Sequence, residues 1–578
     1  MRLSCLSAFA LAALAACGLP GGGEDPGAGG NAGDRPGATF ADVVIHGGPI
    51  HTGVENDPIP DFVAISGGRI AAVGNEAAMA EHVGSRTRVI DLAGAALFPG
   101  FVDAHAHLIG IGERELTLNL EGVSSVAELV ERIEVAIADA EPGAAVIGRG
   151  WIETGWPEGR FPSRTDIDPV SPDNPVILVR ADGHALLANS VALNAAGVTD
   201  ATRTPEGGRI ETDTDGAPTG MLIDGAMTLV STLIDEPDED RKREYYRAGA
   251  RVYAEYGWTG VHNMSVDPRD TPIMSALSDA GEMGIRVYNA IDVAGLDDVS
   301  GKTPQVSKDG RIVTRSVKLY VDGALGSRGA ALSEPYADAP STDGLLQMDE
   351  DTALAAYAKA IENDVQVATH AIGDRGNSLV LDWYEKAFAA ARAAGRNAED
   401  RRWRIEHAQI LHVEDIPRFA QLGVIASMQP SHAIGDLYFA PDRLGPDRLD
   451  GAYAWRSLLD AGAVIAGGSD APVERGDPAI EFYAAVARRG VDGFYNEDWR
   501  PGEAVTRADA LAMFTTAPAF ASFMEDELGT IEVGKKADLT AFSIDLMTAP
   551  TDDLLKAKAR LTVVDGEILF ENLSAATD

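Results

Sequence analysis

Pro99-Gly100-Phe101-Val102-Asp103-Ala104-His105-Ala106-His107 is the stretch on which the reading of this chain turns. Alternate side chains of a strand share a face, so His105 and His107 point the same way, about 7 Å apart along the strand. Two imidazoles at that spacing can grip one metal ion. A lone His-x-His is common on surfaces, but this pair ends an apolar run, where unpaired imidazoles would be costly to bury.

Similar endings recur downstream. His370 ends Val365-Gln366-Val367-Ala368-Thr369-His370, His407 ends Arg404-Ile405-Glu406-His407, and Asp470 ends Val464-Ile465-Ala466-Gly467-Gly468-Ser469-Asp470. Lys318 sits between Val317 and Leu319 inside a further strand-like run. Burying a bare ammonium is expensive and lowers its pKa. A neutral lysine amine can take up carbon dioxide as a carbamate, an oxygen donor able to bridge two cations. The competing reading pairs Lys318 with Asp322 on the same strand face.

Between about 98 and 525, short apolar runs alternate with helical stretches such as 353–362 and 378–394, the pattern of a parallel sheet. The expected fold is α/β, a (β/α)₈ TIM barrel whose strands deliver their carboxyl-terminal residues to one site. Residues 39–97 and 526–572 read instead as short strands punctuated by glycine, forming one β-sandwich from both chain ends. Residues 115–225, rich in Pro, Gly and Trp, exceed one strand–helix unit and read as an insertion over the barrel mouth.

The order His105/His107, Lys318, His370, His407, Asp470 resembles the amidohydrolase superfamily. Val317-Lys318-Leu319-Tyr320-Val321-Asp322-Gly323, His370-Ala371-Ile372-Gly373-Asp374, Arg404-Ile405-Glu406-His407-Ala408-Gln409 and Gly468-Ser469-Asp470-Ala471-Pro472-Val473 are similar to its YtcJ-like branch. That branch, amidohydrolase family 3, includes N-substituted formamide deformylases. The resemblance implies one or two divalent ions, with zinc expected from all-N/O ligation. His105, His107 and Asp470 would hold the first ion, and His370 and His407 the second, with carboxylated Lys318 bridging. It also implies hydrolysis of a non-peptide C–N bond in an amide, N-formyl or N-acyl amine by metal-bound hydroxide, with Asp470 moving the proton. Lactones, cyclic imides or phosphoesters are alternatives for the same site, and an inactive surface-binding lipoprotein is a third reading. Substrate-facing candidates are His184, Arg328, His432 and Trp151, with Trp156 beside them. His46, His51 and His82 read as structural, while His262 and His412 have no assignment.

Residues 1–16 read as a signal peptide, with Leu14-Ala15-Ala16-Cys17 resembling a bacterial lipobox. Cys17 would then be lipidated, with 17–38 a flexible tether and the protein held in the outer membrane facing the periplasm. Cys5 and Cys17 are the only cysteines, so the expected mature chain has neither disulfide nor thiolate ligand. A net charge of -41 argues against nucleic acid as a partner. A small amide substrate, a membrane contacted only through the lipid, and a homodimer of the kind common among relatives complete the expectations.

Overall fold

The computed structural model describes residues 40–54, 59–153, 155–181, 183, 185–205, 208–234 and 236–573. The expected signal peptide, Cys17, the tether and His184 lie outside the described residues.

Eight parallel strands form the barrel: β1 (Phe101–Ala106), β2 (Trp258–Val266), β3 (Arg286–Asp292), β4 (Ile312–Tyr320), β5 (Gln366–Ala371), β6 (Arg404–His407), β7 (Ile425–Met428) and β8 (Ile465–Gly467). They pair in sequence order from β1 to β8. Helices cover their outer face, so the strands are buried on both sides and lack a clean polar alternation. Register sets the layers of the interior: Lys318 lies beside Ala368, Tyr320 beside His370, and His370 beside Glu406.

The ring closes between β8 and β1 just beyond β8. The Asp470 amide donates to the His105 carbonyl (2.7 Å) and the His107 amide to the Ala471 carbonyl (2.8 Å). Asp103 locks this seam. Its carboxylate accepts from the Ser469 amide and hydroxyl (3.0 and 2.6 Å), the Tyr253 hydroxyl (2.8 Å) and the His105 amide (3.0 Å). Gly468 permits the approach, because a Cβ there would lie 2.4 Å from the His105 nitrogen.

Two four-stranded sheets flank the barrel. One takes strands 43–46, 62–66, 69–74 and 88–91, and the other joins Ala96–Pro99 to Leu539–Phe542, Ala559–Val564 and Glu567–Glu571. Ile45, Val63, Leu97, Leu539 and Leu561 share one core, so the chain ends make a sandwich. Arg286 at the start of β3 ties this unit to the barrel by pairing with Asp538 and Asp565 (2.6 and 2.5 Å).

The insertion has its own six-stranded sheet spanning Leu118 to Asp224 and its own core. Val176–Arg180 belongs to this sheet. The long helices begin earlier than their apolar period suggests. Glu350–Glu362 starts three residues ahead of 353 because Asp349 caps it and its first turn is acidic.

Replacing Asp103 would leave four buried donors at the seam without their acceptor. Asp103→Ala is expected to lower the unfolding free energy by about 3 kcal/mol or more. Urea denaturation followed by tryptophan fluorescence checks this, and an unchanged midpoint would refute the seam's role.

Candidate metal centre

The seam sets His105, His107 and Asp470 side by side at the carboxyl end of the barrel. Groups behind the imidazoles decide which nitrogen each one presents. His105 Nδ1 donates to Glu406 Oε2 (2.5 Å), and His107 Nδ1 to the Met264 carbonyl (3.1 Å). His407 Nδ1 donates to Gln429 Oε1 (2.8 Å), whose amide nitrogen is taken by the Ser427 carbonyl (3.3 Å). In each neutral ring the Nε2 atom is left with a lone pair.

Those lone pairs converge on a carboxylate. Asp470 Oδ1 lies 3.1 Å from His107 Nε2 and 3.4 Å from His105 Nε2. Acceptors facing one another at these distances repel unless a cation lies among them. Donor atoms on a tetrahedral ion with bonds near 2.0–2.1 Å stand about 3.3 Å apart, which fits this spacing. Asp470 also links a second group. Ligand atoms of His105, His107 and Asp470 all lie within 4.8 Å of one another, and so do those of His407, His432 and Asp470. Asp470 Oδ1, His370 Nε2 and His432 Nε2 are buried without a hydrogen-bond partner, as atoms awaiting a bound group would be. The donor set is nitrogen and oxygen only, and it suits a divalent ion such as zinc.

His370 joins the cluster with its ring centroid 4.5 Å from that of His407. Lys318 is 1% exposed, its Nζ 3.5 Å from His105 Nε2 and 4.9 Å above the Tyr320 ring. Asp322 does not pair with it. That carboxylate accepts instead from the amides of Ala331, Ile372 and Gly373 (2.9, 3.0 and 2.8 Å). Lys318 has no carboxylate within ion-pair distance among the described residues.

Backbone geometry helps to aim the ligands. Alternation along β6 would turn His407 away from Glu406, but φ of +75° at His407 and +44° at Ala408 breaks it. Asp470 also adopts a left-handed φ, +61°. Non-glycine residues held there cost energy that the surrounding contacts must supply, and such strain gathers at functional sites.

Burial favours the neutral form of His105, His370 and His407. Burial, reinforced by the Lys318 cation, pulls His105 down to about 4 and His370 down to about 3. Burial and the neighbouring rings push His407 well below its usual value. For Asp470, burial works to raise the pKa, while the neighbouring imidazoles, whenever they carry a proton, work more strongly to lower it. Glu406 shows the same balance, with Arg404 and His105 overcoming burial.

The structure therefore brings His105, His107, Lys318, His370, His407 and Asp470 together, and adds His432, whose Nε2 lies 3.8 Å from Asp470 Oδ2. Trp151 is a correction to the sequence reading. It has no exposed surface, packs in the core of the inserted sheet and donates Nε1–H to the Leu178 carbonyl (2.9 Å), so it offers a ligand nothing to touch. Arg328 is held bidentate by Asp338 (3.1 and 2.7 Å), and no described contact joins it to the cluster. Trp156 lies in the same core as Trp151. His51 pairs with Asp545 (2.9 Å), and His412 contacts Ser333 (2.8 Å).

Sequence reasoning missed Glu406 and Arg404. Arg404 pairs with Glu406 (2.7 Å) and meets His262 (2.7 Å), the Ala104 carbonyl (2.6 Å) and Ser427 (2.6 Å). Opposite charges two apart in a four-residue strand were the available signal. Carboxylates behind metal-binding histidines fix the ring and raise its basicity.

A cation centre at the carboxyl end of an eight-stranded parallel barrel is the build of a metal-dependent hydrolase. The chain belongs to the amidohydrolase family, whose model matches residues 88–570. It is 33% identical to the putative amidohydrolase YtcJ of Bacillus subtilis over 537 residues, 92% of this chain and 99% of that protein. It is 29% identical to the N-substituted formamide deformylase of Arthrobacter pascens over 92% of this chain and 98% of that protein. Its structure is similar to that of an uncharacterized metal-dependent hydrolase from Pyrococcus horikoshii, with a TM-score of 0.71, 26% identity and coverage of 88% and 99%.

The lowered histidine pKa values imply a direction of acid sensitivity. An unfolded imidazole titrates near 6.5, so between that pH and about 4 the unfolded chain binds more protons than the folded one. Stability of chelator-treated protein should be full above about pH 6.5 and fall toward pH 4, His105 alone contributing about 3 kcal/mol. Denaturant titrations at pH 7.5, 6, 5 and 4 test this, and a flat profile would refute neutral burial.

Proposed function

We propose that this chain hydrolyses a non-peptide C–N bond in an amide, N-formyl or N-acyl amine, using one or two divalent ions, zinc being the expected metal. The observation that carries this reading is the meeting of Asp470 Oδ1 with His105 and His107 Nε2 at 3.4 and 3.1 Å, all three oriented as acceptors. The bond class is supported by similarity to the formamide deformylase over 92% of this chain.

A divalent ion held there supplies Lewis acidity for the substrate carbonyl and for water. The residues of the chain do the rest. His105, His107 and Asp470 would hold one ion, and His370 and His407 a second. Lys318, buried without an anionic partner among the described residues, would supply a carbamate oxygen to each ion. Asp470 accepts the proton of the attacking water and delivers it to the leaving nitrogen, giving the acid and the amine.

Three measurements test the reading. A panel of N-formyl amines, N-acyl amino acids, lactones, cyclic imides and phosphotriesters should show turnover of the first two classes. Activity on phosphotriesters alone would remove the C–N assignment. Asp470→Asn should keep much of the metal and lose 10²–10⁴-fold in kcat; equal activity would take the proton-transfer role from Asp470. Lys318→Ala should be inactive and partly rescued by propionate, and full activity without rescue would exclude the bridging carbamate.

A further inference from the structure

His432 stands apart from the other imidazoles of the centre in the group placed behind it. His105, His107 and His407 each direct Nδ1 at an oxygen acceptor. His432 Nδ1 instead faces the amide nitrogen of Gln409, 3.1 Å away. An amide nitrogen can only donate, so this Nδ1 accepts and the proton of the neutral ring resides on Nε2. That Nε2 is buried without a hydrogen-bond partner. It is 3.8 Å from Asp470 Oδ2, beyond hydrogen-bond range, and its ring lies parallel to that of His407 at 5.9 Å.

We propose that His432 is a hydrogen-bond donor to the substrate carbonyl oxygen rather than a metal ligand, and that Gln409 sets the tautomer that makes it one. The inference rests on the hydrolytic reading above and deepens it. A metal ligand needs a lone pair on the nitrogen facing the ion, and His432 presents N–H where its three neighbours present lone pairs. A fixed donor aimed at developing negative charge is the arrangement that stabilises a tetrahedral intermediate. A neutral imidazole can serve as that electrophile.

The bond changes are these. The water oxygen bonds to the carbonyl carbon, the C=O electron pair moves onto the carbonyl oxygen, and one water proton passes to Asp470. His432 Nε2–H donates to the new oxyanion and keeps its proton. The C=O bond then re-forms, the C–N bond breaks, and the Asp470 proton goes to the nitrogen. His432 is thus a catalytic residue by contact, and Gln409 is a positioning residue.

Zinc binding by the metal-free protein separates donor from ligand without relying on turnover. In calorimetric titration with zinc, His432→Ala should keep the wild-type stoichiometry and an affinity within about threefold, whereas His407→Ala should lose affinity. With N-propylformamide as probe, His432→Ala in the zinc-loaded enzyme should lose 10²–10³-fold in kcat. Gln409→Glu, whose carboxylate would accept from Nδ1–H and move the proton off Nε2, should lose activity to a similar degree with zinc binding intact. Loss of a zinc equivalent in His432→Ala would make it a ligand and overturn the proposal, as would full activity of Gln409→Glu. Failure of the wild type to turn over any amide would defeat the C–N reading alone, and the zinc titration would still decide between donor and ligand.

Discussion

Asp103 holds the two ends of the barrel together, and the centre depends on that seam. Its four acceptor contacts bind the segment after β8 to β1, and the same segment carries Asp470. Barrel strands pair by backbone hydrogen bonds, but β8 is only three residues long and ends in Gly467 before it can pair far along β1. A side-chain carboxylate supplies the missing acceptors. The seam thus closes the fold and also places Asp470, whose carboxylate is shared by both groups of imidazoles. A buried ionised group without such partners would be costly, so the burial of Asp103 is tolerable only with every contact made.

A second layer of hydrogen bonds turns four histidines into two kinds of group. Glu406, the Met264 carbonyl and Gln429 each accept a proton from Nδ1, whereas Gln409 offers one. Glu406 is itself desolvated, and Arg404 makes its charge tolerable. Arg404 is in turn fully buried against Ala104, Ser427 and His262, so the wall behind His105 is a chain of paired charges ending at a lone pair. Preorganisation of this sort spares the site reorganisation when a cation or a developing charge arrives.

Much of the centre was legible in the sequence because a barrel converts a sequence rule into a spatial one. Residues ending successive strands must meet, so His105, His107, Lys318, His370, His407 and Asp470 could be named from apolar runs and their last polar residue. The branch resemblance had already joined these motifs, and the family match bears it out. Contacts between side chains with no such rule stayed hidden. Asp103 meets Ser469 across 366 positions, and nothing local in either strand announces it. Trp151 misled because an aromatic residue in a loop-rich insertion looks free to meet a ligand. The insertion instead folds a sheet of its own and consumes Trp151 as core. His432 lies beyond the end of β7, in the first turn of the helix Pro430–Asp436, so strand-end logic could place it near the mouth but not assign its ring nitrogens.

The insertion and the chemistry meet on the segment that follows Asp470. Arg114, only 1% exposed, donates to the carbonyls of Glu474 and Arg475 (3.5 and 3.2 Å) and lies 3.3 Å from Glu121, next to the first strand of the inserted sheet. Arg475 pairs with the same Glu121 (3.1 Å). Movement of the insertion would therefore pull on residues four and five positions beyond Asp470. Catalytic groups in barrels of this type sit on strand ends, where the sheet holds them rigid, while loops around them vary with little cost to the fold. Arg114 and Glu121 thus couple the insertion to the segment that carries Asp470.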